Sequence, residues 1–382
     1  MGNFAKNLPG SRCKFLRHLA VGCTLAAAGP VFGYSYMGEW GEVAQSASVV
    51  ISSLQSAMEG TMHEAGCHYF ATPFGGHLHR LSATVDREPW FPESFDNALP
   101  GHSGDIYGIL GGATATHSFG HGTMTSVGLA GFVVRSQWNT FGWCRPLEYD
   151  TMPDCPMLEG HRQDQRRLGG VLFASTDYLA YGHLAGNVEI SVGGDYLDTK
   201  LPLPFSASEY AFPYKRIRVE GFDLFTSLVV RQDVVTIGKM QFGPWVGLVY
   251  HRTLMRSFAL PDGAEIDLIA GPSEDNSQIP SFAFNFLDVS CGLRLERLFL
   301  GRGRASTDVA VKVGWKCRAM QDDSINDPTY WRFRRRDRDS LVGSCELRRR
   351  LDQHWQVEAS WAGQFANDHH ANYFAANLSF AF

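Results

Sequence analysis

The feature that most constrains this chain is a two-residue alternation of apolar with polar or small side chains, repeated in segment after segment. In the last segment Phe374, Ala376, Leu378, Phe380 and Phe382 alternate with Tyr373, Ala375, Asn377, Ser379 and Ala381. An extended strand sends successive side chains to opposite faces, so one face is greasy and the other mostly small or polar. The segment before it sets Trp355, Val357, Ala359, Trp361 and Phe365 against His354, Gln356, Glu358, Ser360 and Gln364. Val309, Val311, Val313 and Trp315 alternate in the same way with Asp308, Lys312 and Lys316. Leu287, Val289, Leu293 and Leu295 alternate with Asp288, Ser290, Arg294 and Glu296, and Val188, Ile190, Val192 and Tyr196 oppose Glu189, Ser191 and Asp195. The 40 Gly and 26 Phe residues fit many short strands joined by turns, because Gly supplies positive φ and aromatic rings suit a pleated surface.

Alternation alone fits a soluble sandwich as well as a membrane barrel, and the lengths of strands and connections separate the two. Strands are predicted near 67–83, 104–117, 121–135, 166–180, 183–199, 215–231, 235–255, 281–298, 305–320, 339–350, 353–366 and 370–382. Each is near or above the roughly 10 residues of a tilted membrane-spanning strand. The connections 84–103, 136–165, 200–214, 256–280 and 321–338 are long, and those at 118–120, 181–182, 232–234, 299–304 and 351–352 are short. Only 367–369 breaks the rhythm, being short where a long connection is due. Long loops on one side and tight turns on the other are the habit of outer-membrane barrels. An even strand number also lets first and last strands pair and leaves no edge in lipid. The expected fold is therefore all-β and transmembrane: an antiparallel up-and-down β-barrel of about twelve strands over residues 67–382, monomeric, surrounded by outer-membrane lipid, with its loops at the bacterial cell surface.

Ahead of the barrel, Lys6, Arg12, Lys14 and Arg17 precede an apolar run from Leu19 to Ala28 and the small residues Gly29 and Gly33. That layout predicts a signal peptide over 1–33. Residues 34–66 read as a linker in which Val43, Ala47, Val50, Leu54, Ala57, Met58 and Met62 form an apolar stripe at helical spacing across 41–65. The opposite face carries Ser and Gln with little charge, which suits a helix inside a polar tube. No later stretch approaches the roughly 18 uninterrupted apolar residues of a spanning helix. A net charge of −5 gives no reason to expect nucleic-acid binding, which needs a basic surface. The basic run Arg332, Arg334, Arg335, Arg336 and Arg338 has Asp322, Asp323, Asp327 and Asp337 close by and reads as a solvated loop.

The C-terminal segment WQVEASWAGQFANDHHANYFAANLSFAF resembles the last hairpin of autotransporter translocator barrels, which ends in an aromatic residue after an alternating strand. GDIYGILGGATATHSFG, VSCGLRLERLFL and the helix leading into CHYFATPFGGHLHR also resemble that family, so the resemblance spans roughly residues 41–382. It implies that the barrel-assembly machinery reads Phe382, with Phe380 and Leu378 as supporting residues on the same face. It also implies a linker helix in the lumen that leads to an upstream secreted passenger. Only Tyr34 to Trp40 separates the expected signal cut from the helix, so the expected passenger is short or absent.

Inside the tube, Glu189, Asp195, Asp223, Arg294, Lys312, Lys316, Arg348 and Glu358 are the expected lumen-facing charges. Both signs in one tube predict a cross-lumen network, because buried charge is costly unless paired or wet. Cys144 and Cys155 flank a Pro-containing stretch and are candidates for a loop disulfide in an oxidising compartment. No zinc-type CxxC pair occurs, and no metal or cofactor is expected. His77, His79, His117, His121, His369 and His370 have no nucleophile or carboxylate at a telling linear spacing and read as loop or turn residues without chemistry. GILGG at 108–112 lacks the Lys and helix of a phosphate loop and reads as a strand with Gly toward the lumen. Trp90, Trp138, Trp143, Tyr330 and Trp331 are expected as interfacial anchors.

The function expected is that of a membrane-anchoring translocator unit with no catalytic residues. The alternatives are a plain outer-membrane pore or channel, an adhesin whose long loops bind a surface ligand and, third, an outer-membrane hydrolase, which loss of activity on changing a single pair of His and acid would be needed to support.

Overall fold

A computed structural model describes residues 66–80, 83–84, 98–99, 101–120, 122–141, 161–180, 184–203, 215–259, 278–279, 281–300, 306–321, 339–367 and 369–382. The expected signal, the helix over 41–65, the Cys144–Cys155 pair, Trp90, Trp143, Tyr330, Trp331 and the basic run near 332–338 lie outside these residues.

Twelve long strands follow one another: β1 Gly66–Arg80, β2 Gly101–Gly120, β3 Thr123–Phe141, β4 His161–Ala180, β5 Leu184–Leu203, β6 Lys215–Gln232, β7 Met240–Met255, β8 Phe282–Leu300, β9 Ser306–Gln321, β10 Asp339–Arg350, β11 Trp355–Phe365 and β12 His369–Ala381. Each pairs antiparallel with its neighbours in sequence, and β12 returns to β1, closing the sheet. At the seam Leu378 sits opposite Ala71 and Phe374 opposite Gly75. The backbone N–H of Phe382 donates to the Cys67 carbonyl at 3.1 Å. Closure leaves no row of unpaired N–H and C=O groups along a strand edge, which a hydrocarbon surrounding requires.

Turn chemistry explains the short connections. Gly122 and Gly238 take φ of 77° and 63°, a left-handed backbone that a β-carbon disfavours. In the turn between β10 and β11 the Asp352 carboxylate accepts the backbone N–H groups of His354 at 2.7 Å and Trp355 at 2.8 Å.

The expected twelve strands are present, but β2 to β5 run 19 or 20 residues, well into stretches expected as loops. Alternation marks where a strand has two different surroundings, and beyond the exposed apolar belt both faces carry polar side chains, as along 162–167, so pairing continues after the pattern fades.

Outward side chains form an apolar belt that includes Ile109, Leu129, Val133, Leu172, Val192, Leu224, Val246, Leu293, Val313 and Leu347, all exposed. Aromatic residues rim it. Tyr69, Phe119, Phe242, Phe299 and Trp355 stand toward the turn end, and Tyr107, Phe222 and Trp315 toward the loop end. Along β2 the twelve steps from Tyr107 to Phe119 cover about 40 Å of strand, or roughly 30 Å of height at a typical tilt, close to the apolar band of such barrels. Trp138 corrects an expectation. It is only 1% exposed and lies on the inner wall, its Nε1 donating to Ser136. Of the rim residues, Trp315 and Trp355 were already on the greasy face of the alternation.

The inner wall is not uniformly polar. Phe70, Phe74, Leu78, Ile106, Leu110, Phe132, Val134, Val171, Phe173 and Phe225 join Trp138 in one buried apolar cluster on β1 to β4 and β6. The rings of Phe70 and Phe173 meet at 6.1 Å, and those of Phe132 and Phe225 at 6.3 Å. Glycine makes room for them. A Cβ on Gly128 would collide with Phe173, one on Gly169 with Phe132, and one on Gly193 with Phe225. The abundance of Gly and Phe thus has a shared cause, with inward rings lying flat over glycines of neighbouring strands. In GILGG, Gly108 and Gly112 do the same for Phe74 and Phe70.

Candidate functional site: the charged half of the lumen

Most of the buried charges lie along the rest of the inner wall, from β4 through β11. Period-two geometry places them there: on β5 Glu189, Ser191 and Asp195 are buried while Ile190 and Val192 are exposed. Asp223, Arg294, Arg348 and Glu358 are likewise buried, and Lys312 and Lys316 are nearly so.

Two clusters emerge. In the first, Arg167 of β4 reaches Asp195 of β5 at 3.2 Å and also pairs with Asp223 of β6. Asp223 in turn lies 3.0 Å from His251 Nε2 of β7, and Thr253 Oγ1 lies 3.3 Å from the same nitrogen. Four successive strands are thereby stitched together. In the second, Asp288 of β8 takes Lys316 at 3.1 Å and Arg318 at 2.9 Å, both from β9. Lys312 pairs with Glu346 at 3.3 Å, Arg348 lies 3.6 Å from Glu358 across the β10–β11 register, and Arg294 pairs with Glu296. A cavity of about 210 Å³ opens beside this second cluster and is lined by Arg231, Asp288, Arg294, Lys312, Lys316 and Glu346 among others. Glu189 lies on the same inner wall, opposite Ser175 in the β4–β5 register.

Asp195, Asp223, Arg294, Lys312, Lys316, Arg348 and Glu358 are therefore brought together with near neighbours along the wall. Arg167, His251, Glu346 and Arg318 are partners that reading the sequence had missed. Arg167 follows Arg166 and looks like half of a surface basic pair. Its parity with Gln163 and Gln165, opposite Leu168 and Leu172, was the signal that could have placed it inside.

Leu378, Phe380 and Phe382 lie on the outer face of β12, with Phe382 76% exposed. The Phe380 ring contacts those of Trp355 and Phe382, both at 4.7 Å. None of Cys67, Cys291, Cys317 and Cys345 is joined in a disulfide. Among the described residues no group of three or more His, Cys, Asp or Glu side chains could hold a metal ion.

No protein-family model and no curated protein matches the sequence. Solved structures do match. The translocator domain of the autotransporter NalP from Neisseria meningitidis aligns with a TM-score of 0.54 at 11% identity, covering 93% of this chain and 100% of that one. The beta domain of the Bordetella autotransporter BrkA aligns with a TM-score of 0.52, also at 11% identity, covering 83% of this chain and 100% of that one. At such identity the likeness is one of fold: this chain is built as a closed twelve-stranded antiparallel barrel, the fold of those translocator domains.

Proposed function

We propose that this chain is the membrane-anchoring translocator barrel of an autotransporter-like protein, seated in the bacterial outer membrane with its long loops at the cell surface. The observation that carries this reading is the two-faced, fully closed wall. Outside, an apolar belt between aromatic rims suits lipid. Inside, charged and apolar halves suit an amphipathic occupant.

Residues 41–65 are the natural occupant. Laid in the lumen as a helix, their apolar stripe of Val43, Val50, Leu54, Met58 and Met62 complements the inward rings of Phe70, Phe74, Phe132 and Phe173. Their Ser and Gln face would then turn to the charged half. Export by the N-terminal signal, recognition of Leu378, Phe380 and Phe382 by the barrel-assembly machinery, and a monomeric state belong to the same reading. Anchoring and passage of a chain need no cofactor and no catalytic group. The work is to satisfy every backbone hydrogen bond in lipid while enclosing a polar path.

Conductance in planar bilayers tests this. The full chain should be nearly closed, and deletion of residues 41–65 should open it. A full chain that conducts as widely as the deletion would favour a plain pore instead.

A further inference from the structure

On the outer wall, at the loop end of β1 and β2, three side chains form a hydrogen-bonded chain. His77 Nδ1 lies 2.8 Å from Asp105 Oδ1, and Ser103 Oγ lies 3.2 Å from His77 Nε2. The register causes this: His77 is directly opposite Asp105, and His79 is opposite Ser103, so Ser103 sits on the diagonal from His77. All three share outward parity, and the side chains of His77 and Asp105 are 50% and 73% exposed. The order is that of a nucleophile, a base and an orienting carboxylate. Nδ1–H donates to the carboxylate, which fixes the tautomer that leaves Nε2 free to accept the serine proton. Along the chain Ser103 and Asp105 stand 26 and 28 residues from His77, so no linear motif marks them.

We propose that Ser103, His77 and Asp105 form a hydrolytic site for carboxylic esters of membrane lipids. The surroundings select that substrate. Just below His77 on the same outward row, Gly75 pairs with Tyr107 on one side and Phe374 on the other. Pro73 and Ala71 continue the row, so short side chains run between the exposed rings of Tyr107 and Phe374 and leave space for an acyl chain along the row. An acyl chain lying there places its ester at the polar edge of the apolar belt, beside Ser103. Ser103 Oγ adds to the ester carbonyl carbon as its proton passes to His77 Nε2. The carbon–alkoxy bond then breaks, and His77 returns the proton to the leaving alcohol. Water attacks the acyl-serine, again losing a proton to His77, which passes it back to Ser103 Oγ as the carboxylic acid leaves. Ser103 and His77 are the catalytic residues and Asp105 is a positioning residue. Asn139, opposite Ser103 on β3, and His79 on β1 are the polar neighbours that can supply donors to the oxyanion.

The test uses the full chain refolded in detergent micelles, with an alkyl fluorophosphonate probe and p-nitrophenyl esters of butyrate and palmitate. The probe should label Ser103, and both esters should turn over. Ser103→Ala and His77→Ala should each cut turnover roughly a thousand-fold while the heat-dependent gel shift of the folded barrel is retained. Asp105→Asn should lower kcat with KM unchanged and shift the pH profile of kcat while the folded gel band is retained in full, whereas a loss of folding would lower kcat together with that band and leave the pH profile in place. Gly75→Leu should slow palmitate and spare butyrate. Its Cβ meets nothing nearer than the Ile106 carbonyl oxygen at 3.4 Å, so the barrel accommodates it. Absence of labelling at Ser103, or turnover in Ser103→Ala equal to the parent, would overturn the site. Equal effects of Gly75→Leu on both esters would overturn the row as the acyl-binding element.

Discussion

His251 Nε2 lies 3.0 Å from the carboxylate of Asp223, with both side chains buried on the inner wall of adjacent strands. Arg167 holds the same carboxylate from two strands away, and Asp195 stands between them. Removing one partner leaves an uncompensated buried charge, at a cost of about 3–5 kcal/mol. Arg167→Met should therefore lower the temperature at which the folded gel band converts to the unfolded one. Arg167→Met with Asp223→Leu should lose less than the two single changes added together.

In the proposed reading Phe382 acts on assembly rather than on the finished barrel. Its ring is 76% exposed and touches only an outer rim, with Tyr69 at 5.2 Å and Phe380 at 4.7 Å. Phe382→Ala should reduce the amount of barrel in the outer membrane several-fold in cells. Protein refolded in vitro should unfold at nearly the parent temperature.

Inward glycines are spacers for rings. Gly128→Leu drives a side chain into Phe173, and overpacking of this kind costs about 1–3 kcal/mol. Thermal unfolding of the refolded variant should fall accordingly. Gly111→Leu should be near neutral, because a Cβ there faces outward and meets only the Phe70 carbonyl oxygen at 3.7 Å.

The β10–β11 turn should respond to acid. Backbone N–H groups of His354 and Trp355 hold the Asp352 carboxyl below the ordinary carboxylate range. A depressed native value means that the contribution is full above the ordinary value and is lost as pH falls through the lowered one. Asp352→Ala should weaken the barrel at neutral pH, and the difference from the parent should shrink in strong acid, as read by thermal melts across pH.

Legibility in the sequence followed the contrast between surroundings. Where lipid lies on one side and charge on the other, as along Val188 to Tyr196 or Phe374 to Phe382, alternation located strand, face and register together. Where the inner wall is apolar, as at Phe70, Phe74 and Phe173, both faces are greasy or small and the pattern carries no inside-or-outside label. Trp138 was accordingly read as a rim residue. Residues that act across strands were the hardest to see. Arg167 meets Asp223 at a separation of 56 residues, and Ser103 meets His77 at 26. The strand register decides such encounters, and a linear spacing does not contain it.

Depth-resolved quenching of tryptophan fluorescence tests the two-faced wall most directly. Trp315 is 50% exposed on the outer face and Trp138 is sealed inside. Variants retaining only one or the other are refolded into vesicles of brominated lipid. Strong quenching of Trp315 and little of Trp138 is the predicted result. Quenching of Trp138 equal to or stronger than that of Trp315 would contradict the account.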